Sequence, residues 1–130
     1  MSASVFGVVD TSVFIAAEKG RGAIELPPRG AISVITLAEL RLGVLMASEP
    51  EEHARRLRTL TTVGSMFEPL PITVEVVDAF SEIVAEARMS GRRPKAMDAW
   101  IAATAVTHGL PVYTRDRDFD GLKGVAVVKV

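Results

Sequence analysis

The chain has 130 residues, no cysteine, only 5% aromatic residues and no long apolar run. The lack of cysteine excludes disulfides, thiolate metal sites and a thiol nucleophile, and suits a reducing compartment. The opening residues MSASVFGVVD have no basic segment, and their apolar run is too short for a signal peptide or a membrane span. We therefore expect a cytoplasmic protein that does not enter a membrane.

The chain also lacks an excess of charge of either sign. Its 15 Lys and Arg residues nearly balance 16 Asp and Glu residues, for a net charge of -1. Any affinity for nucleic acid must therefore come from local clusters of basic residues, and the few aromatics argue against a broad platform for stacking bases. Apolar residues make up 48% of the chain even without glycine, which leaves apolar surface available for partners. The length predicts one domain spanning residues 1–130.

Apolar, strand-like runs alternate with segments of helical periodicity along the whole chain. Strands are predicted at VFGVV, AISVI, LPVYT and VAVVKV. Helices are predicted at VFIAAEKG, TLAELRLGVLMA, PEEHARRLRTLTTVGSM, ITVEVVDAFSEIVAEARMSG and KAMDAWIAATAVTHG. This alternation predicts an α/β fold, a three-layer α/β/α sandwich with a central, mostly parallel sheet.

Four acids stand at the ends of these elements, and each has a local structural explanation. Asp10 follows a strand and suits a helix N-cap. Glu39 has the capping-box spacing from Thr36. Asp98 falls in the first turn of a helix, where the helix dipole favours negative charge, and Asp116 falls in a polar turn.

The joint placement of the four acids has a further consequence. Strand ends and helix starts of a parallel sheet meet at its carboxyl edge, so these acids are expected to line one crevice. Two carboxylates about 5 Å apart repel by roughly 3 kcal/mol at an effective dielectric near 20, so the group must either take up protons or bind a cation. With oxygen ligands only, the expected cation is Mg²⁺ or Mn²⁺, and the chemistry usual for such a site is hydrolysis of a phosphate ester.

Four blocks of the sequence resemble the PIN-domain ribonucleases, and most of all the VapC toxins of bacterial VapBC toxin-antitoxin pairs. They are VVDTSVFI at 8–15, TLAELRLG at 36–43, DAWIAATA at 98–105 and YTRDRDF at 113–119. The blocks cover nearly the whole chain in the order found in the family.

This resemblance implies a metal-dependent endoribonuclease with Mg²⁺ or Mn²⁺ as cofactor. Its catalytic and metal-binding acids would be Asp10, Glu39, Asp98 and Asp116, each at a position that matches the family motif. Ser12 fills the hydroxyl position after the first Asp, where it would orient that acid or a water. Thr114 matches a hydroxyl before the last acid, and Asp118 fits a slot that is often acidic, so both are expected to support the site.

The resemblance also implies a fold and partners. The family fold is an α/β/α sandwich around a parallel sheet, which agrees with the prediction from the residues. Its members usually form homodimers. They are neutralised by a VapB antitoxin whose C-terminal tail lies across apolar helices near the active site and often places a basic side chain among the acids.

Basic residues cluster beside two of the acids. Arg92, Arg93 and Lys95 precede Asp98, while Arg115 and Arg117 flank Asp116. The functional interpretation is that these residues hold RNA phosphates near the site. The structural alternative is that the first three form a solvated turn and the other two balance neighbouring acids.

Two other functions compete with a ribonuclease. A receiver-like Mg²⁺-binding regulatory module would need an acid pair near the first strand and a lysine near the last, and Asp10 stands alone after its strand. A metal-dependent phosphohydrolase or nuclease acting on DNA or small substrates differs only in what it cleaves. The histidines do not decide between these functions, since His53 is predicted on a polar helix face and His108 at a helix end.

Overall fold

The computed structural model describes residues 7–20 and 29–130 and contains five strands and five helices. The predicted strand positions Val5 and Phe6 lie outside the described residues. The elements run in the order β1 (Gly7–Val9), α1 (Thr11–Glu18), β2 (Gly30–Ser33), α2 (Val34–Met46), α3 (Pro50–Met66), β3 (Glu68–Leu70), α4 (Val74–Met89), α5 (Ala96–Thr107), β4 (Val112–Thr114) and β5 (Val127–Lys129).

The five strands form one parallel sheet in the order β3-β2-β1-β4-β5. Alternate residues of a strand face opposite sides of the sheet. Val8 packs in a core with α4 and α5, while Val9 packs in a second core with α1, α2 and α3. Helices therefore cover both faces, and the predicted α/β/α sandwich with a parallel sheet is confirmed.

The strand order brings the ends of β1 and β4 side by side, because these strands pair at the centre of the sheet. β1 leads into α1 through Asp10, and β4 leads into the turn that carries Asp116. β2 lies on the other side of β1 and leads into α2, which carries Glu39. Three of the four predicted acids therefore lie at the carboxyl edge of the sheet.

The start of α2 differs from the prediction. The strand AISVI ends at Ser33, whose side chain accepts a hydrogen bond from the Ile35 amide and caps a helix that begins at Val34. Thr36 is thus the third residue of the helix and Glu39 the sixth. The capping box proposed for Thr36 and Glu39 is wrong, so helix capping no longer explains Glu39.

One strand was not predicted. β3 contains Pro69 and pairs only with β2 at the edge of the sheet, over the register Ala31 with Glu68 and Ser33 with Leu70. Proline cannot donate a hydrogen bond to a neighbouring strand, so its presence in a sequence argues against a strand. It is tolerated here because β3 lies at the edge of the sheet. The helices on either side of β3 match their predicted positions. No helix of residues 7–20 and 29–130 has both the length and the apolar character needed to cross a bilayer.

Candidate active site

The four predicted acids line a single open cleft of about 680 Å³ at the carboxyl edge of the sheet. Asp10 is the N-cap of α1 and Asp98 is the third residue of α5. Glu39 comes from the second turn of α2, and Asp116 from the turn after β4. Four elements that are distant in sequence thus place carboxylates around one space, as their positions predicted.

Asp10 is held by a chain of hydroxyl groups at the floor of the cleft. The Thr114 hydroxyl donates to Asp10 Oδ2 over 2.9 Å, and the Ser12 amide donates to the same oxygen over 3.4 Å. The Ser12 hydroxyl lies 3.2 Å from that of Thr114, and the side chains of both residues are hydrogen-bond partners of Asp10. The Arg115 amide in turn donates to Ser12 Oγ over 3.1 Å. The backbone after β4 therefore orients hydroxyl groups toward Asp10.

Glu39 is held by Thr11, for which no contact with Glu39 was predicted. The Thr11 hydroxyl donates to Glu39 Oε1 over 2.6 Å and lies 3.1 Å from the hydroxyl of Thr36. Thr36 is fully buried and Thr11 is 8% exposed. Adjacent residues of the first turn of α1, Thr11 and Ser12, thus serve Glu39 and Asp10 respectively. No local sequence signal marks Thr11, because its partners lie 25 and 28 residues away.

Asp98 differs from Asp10 and Glu39, because no hydroxyl group of the described residues donates to its buried Oδ2. Its side chain is 8% exposed, and its Oδ2 is buried with no hydrogen-bond partner among the described residues. Burial and then the like charges of Asp10, Asp118 and Glu39 raise the pKa of Asp98 to about 7. Lys95 offsets these effects only in part. A buried carboxylate oxygen without a donor is costly unless a ligand satisfies it.

Asp116 and Asp118 lie on the turn after β4. The Asp116 amide donates to Thr114 Oγ1 over 3.0 Å, so the threonine that holds Asp10 also fixes the turn that carries Asp116. Asp118 is exposed, and its Oδ2 lies 3.7 Å from Lys95 Nζ. Both side chains line the cleft.

The electrostatics of the cleft favour a cation. Burial raises the pKa of Asp10 and that of Glu39, and neighbouring carboxylates raise both further, while hydroxyl donors work in the opposite direction. An oxygen-only donor set fits a hard divalent cation such as Mg²⁺ or Mn²⁺. Within residues 7–20 and 29–130, however, no three His, Cys, Asp or Glu side chains are close enough together to enclose a metal ion. The carboxylates surround the cleft but do not form a closed ligand shell.

The predicted phosphate-binding residues divide into two groups. Lys95 and Arg115 line the cleft, and so does Lys19, for which no role was predicted. Arg92, Arg93 and Arg117 are not among the lining residues. Arg92 instead donates from Nη2 to the Asp120 carbonyl over 2.6 Å. The sequence placed these cations near the acids without showing which ones face the cleft.

Helix α5 contributes Asp98 and little other polar surface. Ala102 and Ala105, which follow Asp98 at spacings of four and seven residues, are fully buried, and α5 packs against α4 and three strands. These small, fully buried side chains allow close approach of the helix to its neighbours. His108 caps the C-terminal end of α5 as predicted, and His53 is exposed on α3.

Comparison with known proteins identifies the family. The PIN domain pattern matches residues 7–125. Ribonuclease VapC5 of Mycobacterium tuberculosis is 46% identical over 126 residues, which cover 95% of this chain and 93% of that protein. Ribonuclease VapC4 of the same organism is 44% identical over 128 residues, which cover 95% of each chain.

Solved structures agree with the sequence comparisons. The crystal structure of VapBC-5, a member of the VapBC family of toxin-antitoxin systems from Mycobacterium tuberculosis, contains a chain that superposes with a TM-score of 0.85 at 42% identity. The match covers 98% of this chain and all of that one. A chain in the FitAcB crystal structure from Neisseria gonorrhoeae superposes with a TM-score of 0.75 at 30% identity, covering 92% of this chain and 94% of that one. This chain therefore belongs to the PIN-domain family and, within it, to the VapC toxins of VapBC toxin-antitoxin systems.

Proposed function

We propose that the protein is an Mg²⁺- or Mn²⁺-dependent endoribonuclease that acts as the toxin of a type II toxin-antitoxin pair and inhibits translation and growth by cleaving RNA. The observation that carries the proposal is the meeting of Asp10, Glu39, Asp98 and Asp116 in one cleft, with a buried oxygen of Asp98 that has no donor. The ribonuclease names of the similar VapC proteins support RNA as the substrate. The family match over residues 7–125 supports a single PIN-like domain for the chain.

The catalytic roles follow from how each acid is held. Asp10 and Glu39 accept hydrogen bonds from Thr114 and Thr11, which fix their carboxylates in orientation before substrate arrives. Asp98 and Asp116 carry the remaining negative charge that faces the cleft. A divalent cation held by these acids would supply a Lewis acid that activates water and stabilises the leaving oxygen. Neither histidine is needed as a general base in this scheme.

The rim of the cleft supports a polyanionic substrate. Lys19, Lys95 and Arg115 are exposed and lie around the acids. Negative charge at the floor repels RNA until it is neutralised, and basic residues at the rim can then hold phosphates on either side of the cleaved bond. The proposal therefore assigns phosphate contacts to these three residues.

The receiver-like alternative loses its required lysine. Lys129 is in the last strand, but its ammonium donates to the Asp116 carbonyl over 2.5 Å and pairs with Asp120. The ammonium of Lys129 is thus bound by a backbone carbonyl and by Asp120, which does not line the cleft. The phosphohydrolase alternative differs from a ribonuclease only in its substrate, so parallel reactions with RNA, DNA and a nucleotide distinguish the two.

The test of the proposal is cleavage of a mixed RNA pool by the purified chain with Mg²⁺ or Mn²⁺, followed by chelation. We expect chelator to stop cleavage. We also expect the cleavage rate to fall by about 100-fold or more in Asp98→Asn, because that substitution removes a carboxylate charge that would bind the cation. Asp78→Asn changes an exposed acid of α4 in the same way and should cleave like the parent. Parallel reactions with DNA and a nucleotide test the alternative substrates.

Two results would contradict this proposal. Cleavage of RNA at the parental rate by Asp98→Asn would remove Asp98 from the site. Hydrolysis of DNA or nucleotide with RNA left intact would replace the ribonuclease by another phosphohydrolase.

The partners follow from the same proposal. VapBC-5 is a member of the VapBC family of toxin-antitoxin systems, which supports a VapB-type antitoxin as partner here. Exposed apolar side chains on α2 and α3 offer it a surface, namely Leu42, Leu45, Met46, Leu57 and Met66. Expression of the chain alone should arrest growth in the cytoplasm, and coexpression of the antitoxin should relieve the arrest. A homodimer is also part of the proposal, and light scattering of the purified toxin measures it.

A further inference from the structure

We propose that Arg92 and Lys129 are positioning residues that fix the turn carrying Asp116 and Asp118, here called the acidic loop and defined as residues 115–121. Each residue binds a backbone carbonyl of this loop from outside the cleft. The inference deepens the proposed function, because it explains how two acids on a turn keep their place beside acids on helices. It also gives Arg92 a role different from the RNA contact expected from the sequence.

Arg92 reaches the loop from the end of α4. The Arg92 amide donates to the Ala87 carbonyl over 2.8 Å, and Gly91 adopts φ +80, so the helix end fixes where the Arg92 side chain starts. Its guanidinium Nη2 then donates to the Asp120 carbonyl over 2.6 Å. This bond joins the segment before α5, which leads to Asp98, to the loop that carries Asp116.

Gly121 makes room for the Arg92 guanidinium. A Cβ at this position would lie 2.9 Å from Arg92 Nη1, and Gly121 has φ +76. Both features favour glycine, the first because the guanidinium packs directly over the backbone and the second because other residues rarely adopt this conformation. The loop is thus shaped to receive the arginine.

Lys129 holds the opposite end of the loop from β5. Its ammonium donates to the Asp116 carbonyl over 2.5 Å and lies 3.1 Å from Asp120 Oδ1. β5 pairs with β4, the strand from which the loop emerges, so the lysine spans the base of the turn. Arg92 binds the carbonyl of Asp120 and Lys129 binds the carbonyl of Asp116, so the two side chains hold both ends of residues 116–120.

The loop is anchored from below as well. Phe119 is fully buried and Leu122 is 3% exposed, and both belong to the core that includes α4 and α5. Core packing of Phe119 and Leu122 fixes the end of the loop, but Asp116 precedes these residues and is only half-buried. Asp116 is restrained by the hydrogen bond that its amide donates to Thr114 Oγ1 and by the one that its carbonyl accepts from Lys129.

The experiment compares Arg92→Ala, Arg92→Lys and Lys129→Ala with Arg41→Ala, which removes an exposed arginine from α2. Mn²⁺ affinity is measured by calorimetry, and amide hydrogen exchange is followed in residues 116–122. We expect Arg92→Ala and Lys129→Ala to weaken Mn²⁺ binding by about 10-fold and to speed exchange in the loop, since losing supports of ligating groups commonly costs 10- to 100-fold in affinity. Arg92→Lys keeps a donor and should fall between parent and Arg92→Ala.

A second measurement separates positioning from RNA contact. In an Asp98→Asn background, RNA affinity is measured over a range of salt concentrations for the chain with Arg92 and with Arg92→Ala. A phosphate contact would reduce the salt slope by about one, whereas a positioning residue should leave the slope unchanged. A reduced slope together with unchanged loop exchange would overturn the inference.

The outcomes also separate this inference from the proposed function. If the parent binds no Mn²⁺ and cleaves no RNA, the proposed function fails. If the parent does both, while Arg92→Ala and Lys129→Ala bind Mn²⁺ and exchange amides like Arg41→Ala, only the positioning role fails.

Discussion

At the scale of single residues, the cleft depends on hydroxyl groups as much as on acids. Thr114 contacts three parts of the site, since it donates to Asp10, accepts from the Asp116 amide and lies within hydrogen-bond distance of Ser12. It is fully buried, so water cannot replace its hydroxyl without rearrangement. A residue that does not itself face the cleft therefore controls the orientation of two that do.

Thr114→Val tests this dependence, because valine keeps the shape of threonine and removes only the hydroxyl. We expect cleavage to fall by about 10- to 100-fold and the free energy of unfolding to fall by about 1 to 2 kcal/mol, since the Asp116 amide and Asp10 each lose a buried partner. Thr114→Ser retains the hydroxyl and should keep most of the activity. Thr107→Val, which removes a hydroxyl bonded to Ala103 within α5, should leave cleavage unchanged. Full activity in Thr114→Val would assign the positioning of Asp10 to other groups.

The acids of the site could be predicted from the sequence, but their supporting residues only in part. Ser12 and Thr114 lie near acids in sequence, and their hydroxyl groups are hydrogen-bonded at the cleft, Thr114 to Asp10 and Ser12 to Thr114. The contacts of Thr11 with Thr36 and Glu39 escaped prediction because they join α1 to α2 across more than twenty residues. The spacing of Thr36 and Glu39 predicted a capping box instead, and the structure contradicts it. Sequence proximity to Asp98 leaves open whether Arg92 holds RNA phosphates or lies in a solvated turn, because it does not show where a long side chain points.

At the scale of elements, α5 shows why the sequence predicted the helices better than the sheet edges. Ala99, Ala102 and Ala103 are fully buried, so this helix is apolar nearly all round, as expected for one that packs between the sheet and α4. β3 has three residues including a proline and depends on β2 for its hydrogen bonds. Its existence is decided by tertiary pairing, which a local pattern does not report.

Ala102→Leu tests the close packing of α5. A leucine at this fully buried position must push the helix from the sheet or from α4, so we expect the free energy of unfolding to fall by about 1 to 3 kcal/mol. Ala85→Leu makes the same change at an exposed position of α4 and should alter stability by less than about 0.5 kcal/mol. Chemical denaturation of both variants measures the difference. Equal stability would mean that α5 has space beside Ala102.

At the scale of the whole molecule, the cleft trades stability for the capacity to bind a cation. Four neighbouring carboxylates meet at one edge of the fold, and the pKa values of Asp10, Glu39 and Asp98 are all raised, first by burial. A net charge of -1 hides this concentration of negative charge. A folded chain whose acids hold protons more tightly than in the unfolded chain loses stability as pH rises.

The pH dependence of thermal unfolding tests this trade. The folded pKa of Asp98 is about 7 against an ordinary value of 3.8, so the folded chain binds more protons between these values and stability should fall as pH rises through this window. In chelator, we expect the parent to lose on the order of 1 kcal/mol between pH 5 and pH 8 from Asp98, after allowance for solvent screening, which lowers Tm by about 5 °C. Asp98→Asn should lose less and be the more stable protein at pH 8.

Addition of Mg²⁺ or Mn²⁺ completes the test, because a cation that binds the ionised acids stabilises the folded state in proportion to its occupancy. The parent should gain more Tm from either ion at pH 8 than at pH 5, where protons compete for the same carboxylates. Asp98→Asn should gain little at either pH, and Asp78→Asn should behave like the parent. Equal gains at both pH values would place the cation away from these acids, since only a site made of groups that titrate in this window couples metal binding to their protonation.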